Sequence, residues 1–148
     1  MNVELMLLTV LQGLRTQILD VGMLFFTHLG DAGFIWAALT AVLLVFRRTR
    51  RVGCVLAAAL LVDAVLCNLI LKPLVARIRP CDILADVQLL ISRPDDFSFP
   101  SGHTAASFAS VTALWLAGKK QWAWAALPLG VLIAFSRMYL FVHYPTDI

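Results

Sequence analysis

Three separated groups of residues in this chain combine cations, imidazoles and a carboxylate. Lys72 is followed by six residues and then Arg79-Pro80; Phe99-Pro100-Ser101-Gly102-His103-Thr104 opens an apolar stretch; Ser136-Arg137 is followed by five residues, His143, three more and Asp147. A phosphate ester resists attack because its oxygens are negative, so a site that cleaves one must neutralise charge, supply a nucleophile and protonate the leaving oxygen. Lys72, Arg79 and Arg137 meet the first need, a guanidinium gripping two phosphate oxygens in a planar fork. Ser101 and Gly102 open a helix, where backbone N–H groups are unpaired and the dipole favours an anion. Gly102 lets the backbone approach closely. His143 and Asp147 are four apart. If Pro145 begins a helix, Asp147 can accept from one ring nitrogen of His143 and leave the other free to attack. His103, at the mouth of the phosphate cradle, is placed as general acid. Taken singly each feature is ordinary: an arginine at a helix end snorkels to headgroups, and serine is a common N-cap. The joint pattern carries the reading. His28 has no matching partner in the sequence and is read as structural.

The elements that must position these residues are membrane helices. Hydrophobic residues make up 61% of the 148 and charged ones 14%, against roughly 45–50% and about 25% in soluble domains; the mean hydropathy is +0.87. The net charge of +3 is small and clustered, which excludes a nucleic-acid binder. The reading is a single all-α domain over 1–148, a polytopic membrane helix bundle with five or six membrane-associated helices. Val3, Met6, Leu7, Val10, Leu11 and Leu14 recur at helical spacing with Glu4, Thr9 and Gln12 off that face, as in an amphipathic helix lying in the interface; the start of one long spanning helix is the alternative. Residues 18–29 are apolar, Gly30-Asp31-Ala32-Gly33 breaks them with turn residues, and 34–46 are apolar again. Residues 52–71 make a run of about the 20 that a span needs; the Asp63 within it is expected to hydrogen-bond another helix, and Asn68, a turn before Lys72, to orient that lysine. Residues 72–100 are polar and interrupted by Pro73, Pro80, Pro94 and Pro100. Residues 104–117 and 122–135 are apolar, with Trp122 and Trp124 as an interfacial belt. Cys54 and Cys67 read as small core residues, Cys81 has no evident partner, and no cysteine or histidine cluster suggests a metal or disulfide framework.

Charge gives an orientation. Arg47, Arg48, Arg50 and Arg51 are separated from Lys119-Lys120 by two crossings, so both clusters lie on one side, and that side is expected to be cytoplasmic. Lys72, Arg79, Ser101 to His103, Arg137 and His143 then all emerge on the outer face of a cell membrane.

Lys-x6-Arg-Pro, Pro-Ser-Gly-His and Ser-Arg-x5-His-x3-Asp resemble the three signature motifs of the type 2 phosphatidic acid phosphatase superfamily, matching without substitution and in order over Lys72 to Asp147. The resemblance implies a metal-independent lipid phosphatase working through a phosphohistidine, with His143 as nucleophile, Asp147 its partner, His103 the acid, and Lys72, Arg79, Ser101, Gly102 and Arg137 as phosphate ligands. No cofactor is implied. Soluble vanadium haloperoxidases share the motifs, but the apolar composition argues against that branch. The Asp96-to-His103 wording is similar to small bacterial members, many of which act on undecaprenyl diphosphate; phosphatidylglycerophosphate or phosphatidate is the alternative substrate, and a non-catalytic lipid-phosphate binder or carrier a third reading. Family members continue with another spanning helix after the last motif, so the resemblance implies that the final helix is missing. On that expectation nothing holds the Asp147 carboxylate against His143, and the 148-residue form is weak or inactive. The partners implied are a lipid phosphate or diphosphate and membrane lipids; oligomeric state leaves no mark on the sequence.

Overall fold

A computed structural model describes residues 3–148. It is all helical, with no strand among the described residues. The helices are α1 (Val3–Gly13), α2 (Gln17–Gly30), α3 (Phe34–Val45), α4 (Arg50–Ala64), α5 (Lys72–Val75), α6 (Pro80–Ile83), α7 (Gly102–Leu116) and α8 (Lys120–Tyr139). Three stretches are long and apolar enough to cross a membrane: Gln17–Val45, Arg50–Ile83 and Lys120–Tyr139. Helix α7, at 15 residues, packs between α4 and α8. Large apolar side chains such as Ile18, Leu69, Leu74 and Leu116 stand 71–86% exposed, as a lipid-facing surface requires.

The break at residues 30–33 is a kink within one 29-residue span rather than a divide between two elements. Three-10 turn Asp31–Gly33 joins α2 to α3, with Ala32 at φ 49 and Gly33 at φ 68. Along α2, Asp20 meets the Tyr139 hydroxyl and Thr27 meets Arg137, so α2 descends beside α8. Along α3, Trp36 donates to Ser107 and Leu43 packs near Leu114, so α3 descends beside α7. The two halves continue in one direction because they follow neighbours that run opposite ways.

Helix α1 ends at Gly13, separate from α2. It buries Leu5 and Leu8 while Val3, Met6, Leu7, Val10 and Leu14 remain exposed. The stripe expected to be its apolar face therefore looks outward, and Gln12 reaches inward to the Tyr139 carbonyl at 2.7 Å. Helix α4 runs on through a π-helical segment, Val65–Leu71, into α5. There the Lys72 N–H reaches back five residues to the Cys67 carbonyl, a wider winding that recurs at functional sites. Cys67 is buried as expected, but Cys54 is exposed, and Cys81 is buried in the cluster of Leu5, Leu8, Tyr139, Phe141 and Val142.

The two basic clusters share one end of the bundle, where Leu43 and Val52 pack with Leu114 and Ala123. Lys119 stands over the Trp122 ring and Lys120 over Trp115, each at 5.2 Å. The three motifs meet at the opposite end. Between α8 and His143 the chain turns through Phe141, whose φ of 63 is a strained value for a side-chain-bearing residue. Its ring is fully buried, which is worth about 1.5–3 kcal/mol and offsets a strain of the order of 1–3 kcal/mol.

Candidate active site

The three cations line one cavity of about 550 Å³, together with Asp96, Gly102, His103 and His143. Lys72 and Arg79 both bind the Asp96 carboxylate, one on each oxygen. That carboxylate marks where an anion sits between them. Burial alone would raise its pKa, but hydrogen bonds from Lys72 and Arg79 and their positive charge outweigh this and hold it at about 2, so the pair persists as pH falls until that value is reached. Arg137 is 5% exposed and donates to Thr27. Its Nε has no partner, and a buried charged donor left unmatched is costly; an anion in the cavity would satisfy it. The cavity wall also includes Ala37, Leu60 and Ala64, with Asp63 among them.

His143 is 2% exposed. Arg79 NH1 lies 3.0 Å from its Nε2. Guanidinium has only donors, so Nε2 must present its lone pair and the ring proton belongs on Nδ1. Nδ1 makes no hydrogen bond but faces Asp147 Oδ2 at 3.5 Å, the one carboxylate beside it among the described residues. Pro145 does begin a short helix, Pro145–Asp147, which makes the four-residue spacing work. Burial is the largest influence on His143, and with Arg79 and Arg137 it outweighs Asp147 to lower the pKa to about 4. The ring is therefore neutral at physiological pH.

The expectation that nothing holds Asp147 is corrected. Its carboxylate accepts from Ser98 Oγ, from the Tyr144 amide at 2.8 Å and from Arg77. Burial would raise its pKa, but the His143 ring beside it and the hydrogen bonds from Ser98 and Tyr144 lower it on balance. Arg77 also binds Glu4 and lies 4.0 Å from the Tyr144 ring centroid, tying α1 to the site. These anchors all precede Asp147 in the chain.

At the start of α7 the structure separates two residues read as a pair. Gly102 lines the cavity, and a Cβ there would find only Asn68 Oδ1, at 3.8 Å. Ser101 does not line it. Its amide donates to the Asp147 carbonyl at 3.0 Å and its hydroxyl accepts from Thr104, so the N–H expected to be free is spent. Ser101 thus fastens the second motif to the third. His103 lines the cavity, with Nε2 3.0 Å from Asp31 Oδ1. Asp63 also lines it rather than bonding a helix, and Asn68 bonds the Ala64 carbonyl rather than Lys72. Among the described residues no group of three or more His, Cys, Asp or Glu stands where it could hold a metal.

Sequence reasoning passed over Asp96, Ser98, Arg77 and Asp31. Asp96 and Ser98 fall in the polar run just before Pro-Ser-Gly-His, where a carboxylate following Pro94 offered a weak signal. Arg77 and Asp31 meet their partners 70 and 72 residues away and carry no local signature.

Arg79 is the most heavily engaged cation. It donates to the Val142 carbonyl at 2.7 Å, the Asp96 carbonyl at 2.8 Å and the Phe97 carbonyl at 3.3 Å, besides His143 and the Asp96 carboxylate. One ammonium cannot span these directions. Arg79→Lys is expected to lower kcat/KM by about 10²-fold, the equivalent of about 2.7 kcal/mol. It should also lower the melting temperature, because buried carbonyls left without donors cost about 1–3 kcal/mol each. A full-activity lysine variant in detergent would contradict this assignment.

Residues 51–148 match the family model of the PAP2 superfamily. Over 128 residues the chain is 34% identical to an undecaprenyl-diphosphatase of Sulfolobus acidocaldarius, covering 86% of this chain and 61% of that protein. The chain thus spans less than two thirds of that relative's length. Its fold is similar to the crystal structure of Aquifex aeolicus LpxE, with a TM-score of 0.82 and 32% identity over 99% of this chain and 86% of the other. It is also similar to a transmembrane PAP2-type phosphatidylglycerolphosphate phosphatase from Bacillus subtilis, with a TM-score of 0.77 and 26% identity over 98% and 75% of the two chains.

Proposed function

The chain belongs to the PAP2 superfamily, and from that premise we propose that it is a membrane lipid phosphatase that converts undecaprenyl diphosphate to undecaprenyl phosphate through a phosphohistidine on His143. The observation that carries the reading is the lone pair of His143 Nε2, held by a donor-only guanidinium at 3.0 Å in a cavity lined by three cations. A phosphate entering this cavity takes over N–H groups of Arg79 and the orphan Nε of Arg137, and satisfies the Gly102 amide at the helix start. Nε2 attacks the terminal phosphorus; the bond from phosphorus to the bridging oxygen breaks, and His103 gives that oxygen a proton. Water then attacks the phosphorus, His103 takes its proton, the N–P bond breaks and inorganic phosphate leaves. Asp147 stabilises the Nδ1 proton throughout.

The substrate follows the relative from Sulfolobus acidocaldarius, which is named for the diphosphate. A phospholipid monoester is the second reading, favoured by the Bacillus subtilis neighbour named for phosphatidylglycerolphosphate. A non-catalytic binder would need neither the Nε2 lone pair nor the Asp147 anchors. The test is phosphate release in detergent from lipid mono- and diphosphates, with and without chelator, with acid-quenched enzyme probed for a phosphohistidine. Fastest release from the diphosphate, indifference to chelator and a trapped phosphoenzyme are expected. Preference for monoesters would put the second reading first, and activity restored by magnesium would refute the metal-independent mechanism.

In this reading the site opens on the extracytoplasmic side, supported by the basic clusters at the opposite end of the bundle. Cys81 is fully buried and cannot report it, whereas Asp86 is exposed. In intact cells carrying Cys54→Ser and Asp86→Cys, an impermeant thiol reagent should label the protein. Labelling only after the membrane is opened would reverse the topology.

A further inference from the structure

The kink at residues 30–33 is built around His103. Asp31 Oδ1 lies 3.0 Å from His103 Nε2, and its other oxygen lies 2.9 Å from His28 Nδ1. Directly before it, Gly30 faces the imidazole so closely that an added Cβ would stand 2.7 Å from His103 Cδ2 and 2.7 Å from Ile133 Cγ2. Directly after it, Ala32 and Gly33 both take positive φ, a conformation that costs a non-glycine residue about 1–3 kcal/mol and persists only where the surroundings impose it. The bend turns the Asp31 carboxylate back toward the cavity wall instead of letting it follow the helix. His103 stands 17% exposed between these elements and Asp31 54% exposed, so the contact lies at the cavity edge.

We infer that Asp31, braced by His28, is a positioning residue for His103: it holds the imidazole on the cavity wall with a proton on Nε2. The inference rests on the reading of His103 as general acid. The charge of Arg137 opposes a cation on the imidazole, whereas Lys72 and Arg79 are matched by Asp96. Among the described residues Asp31 is the one carboxylate within hydrogen-bond reach of His103, and it supplies the opposing charge. An ionised carboxylate only accepts, so the contact requires the Nε2 proton that the leaving oxygen must receive. In the reaction His103 acts as the imidazolium: its Nε2–H bond breaks as the proton leaves the Asp31 contact for that oxygen, the neutral ring keeps its Nδ1 proton, Asp31 keeps its charge, and the water of the second step restores the Nε2 proton. His28 ceases to be an isolated structural histidine: it fixes the second carboxylate oxygen from the exposed side.

The test uses the full chain in detergent and two substrates with one tail, a lipid monophosphate and the matching lipid diphosphate. Their leaving groups differ in how badly they need a proton. Asp31→Asn keeps the size of the side chain and removes its charge. It should lower kcat on the monophosphate by about 10²-fold, the low end of general-acid contributions, and by at least tenfold less on the diphosphate, with KM little changed. In a His103→Ala background the same substitution should add no further loss. His28→Ala should reproduce the pattern weakly. If His103→Ala depends on the leaving group but Asp31→Asn lowers both substrates alike, or adds its full effect in the double variant, Asp31 serves the fold alone and the inference fails. If His103→Ala is itself indifferent to the leaving group, the acid assignment fails and the inference falls with it. Melting temperature and gel-filtration profile identify a variant that lost activity by unfolding; in that event Asp31→Glu, which restores the charge, must recover the substrate ratio or the inference is overturned.

Discussion

His143→Ala is expected to abolish turnover of every lipid phosphate, with kcat/KM falling by roughly 10⁴–10⁶-fold, as for other groups that form the covalent bond or its activating pair. No neighbour can substitute. Among the described residues the one other histidine lining the cavity is His103, whose Nε2 is turned to Asp31. Asp147→Asn should lose nearly as much, roughly 10⁴-fold, because an amide nitrogen offered to Nδ1 favours the tautomer whose proton sits on Nε2. The acid side of the pH profile should report the same imidazole. His143 is held neutral down to about 4, so the acid limb of kcat/KM that comes from its protonation should lie near about 4. An acid limb near 6.5 would show an ordinary, hydrated imidazole. Stability moves in the same sense. Between the unfolded value of 6.5 and the folded value of about 4 the unfolded chain takes up a proton that the folded chain refuses, so stability declines as pH drops through that window. Acid quench of the wild type should trap phosphate on protein, and the alanine variant should trap none. Phosphoenzyme in the His143→Ala variant would assign the nucleophile elsewhere.

His103→Ala should fail selectively. Its proton matters in proportion to the basicity of the leaving oxygen. An alkoxide leaving a lipid monophosphate has a conjugate acid near water's value of about 15.7, whereas a lipid monophosphate leaving a diphosphate has a second pKa of about 6. General-acid catalysis contributes roughly 10²–10⁴-fold where the leaving group needs it. The variant should lose that much on monophosphates and clearly less on diphosphates, and the diphosphate should still load the enzyme with phosphate. Equal damage to both classes would make His103 chiefly a phosphate ligand. Helix α7 separates the two outcomes well, because Gly102 already supplies a cavity-facing position at its start and the anion site does not depend on the imidazole alone.

Residue type and spacing along the chain were enough to place His143 with Asp147, since four residues across a proline-initiated turn bring the two side chains together by local geometry. They were also enough to put Arg47, Arg48, Arg50 and Arg51 at the end opposite Lys72, Arg79 and Arg137, because runs of about 20 apolar residues have one way to lie in a bilayer. The kink at residues 30–33 was visible only as a break. Whether the chain reverses there or runs on depends on α7 and α8, the helices that α2 and α3 follow, and no local pattern encodes a neighbour so distant in sequence. The same reason hides the residues that complete the site. Asp96 bridges Lys72 and Arg79 across 24 and 17 residues, Arg77 reaches Asp147 across 70, and Asp31 reaches His103 across 72. Ser101 was legible as a helix start, but that its amide would be spent on the Asp147 carbonyl follows from how the second and third motifs dock. Residue types and spacing singled out the groups that could do phosphoryl chemistry and the end of a membrane bundle where they emerge. Which nitrogen of His143 presents its lone pair rests on the fold, because Arg79 arrives from another element with nothing but protons to give.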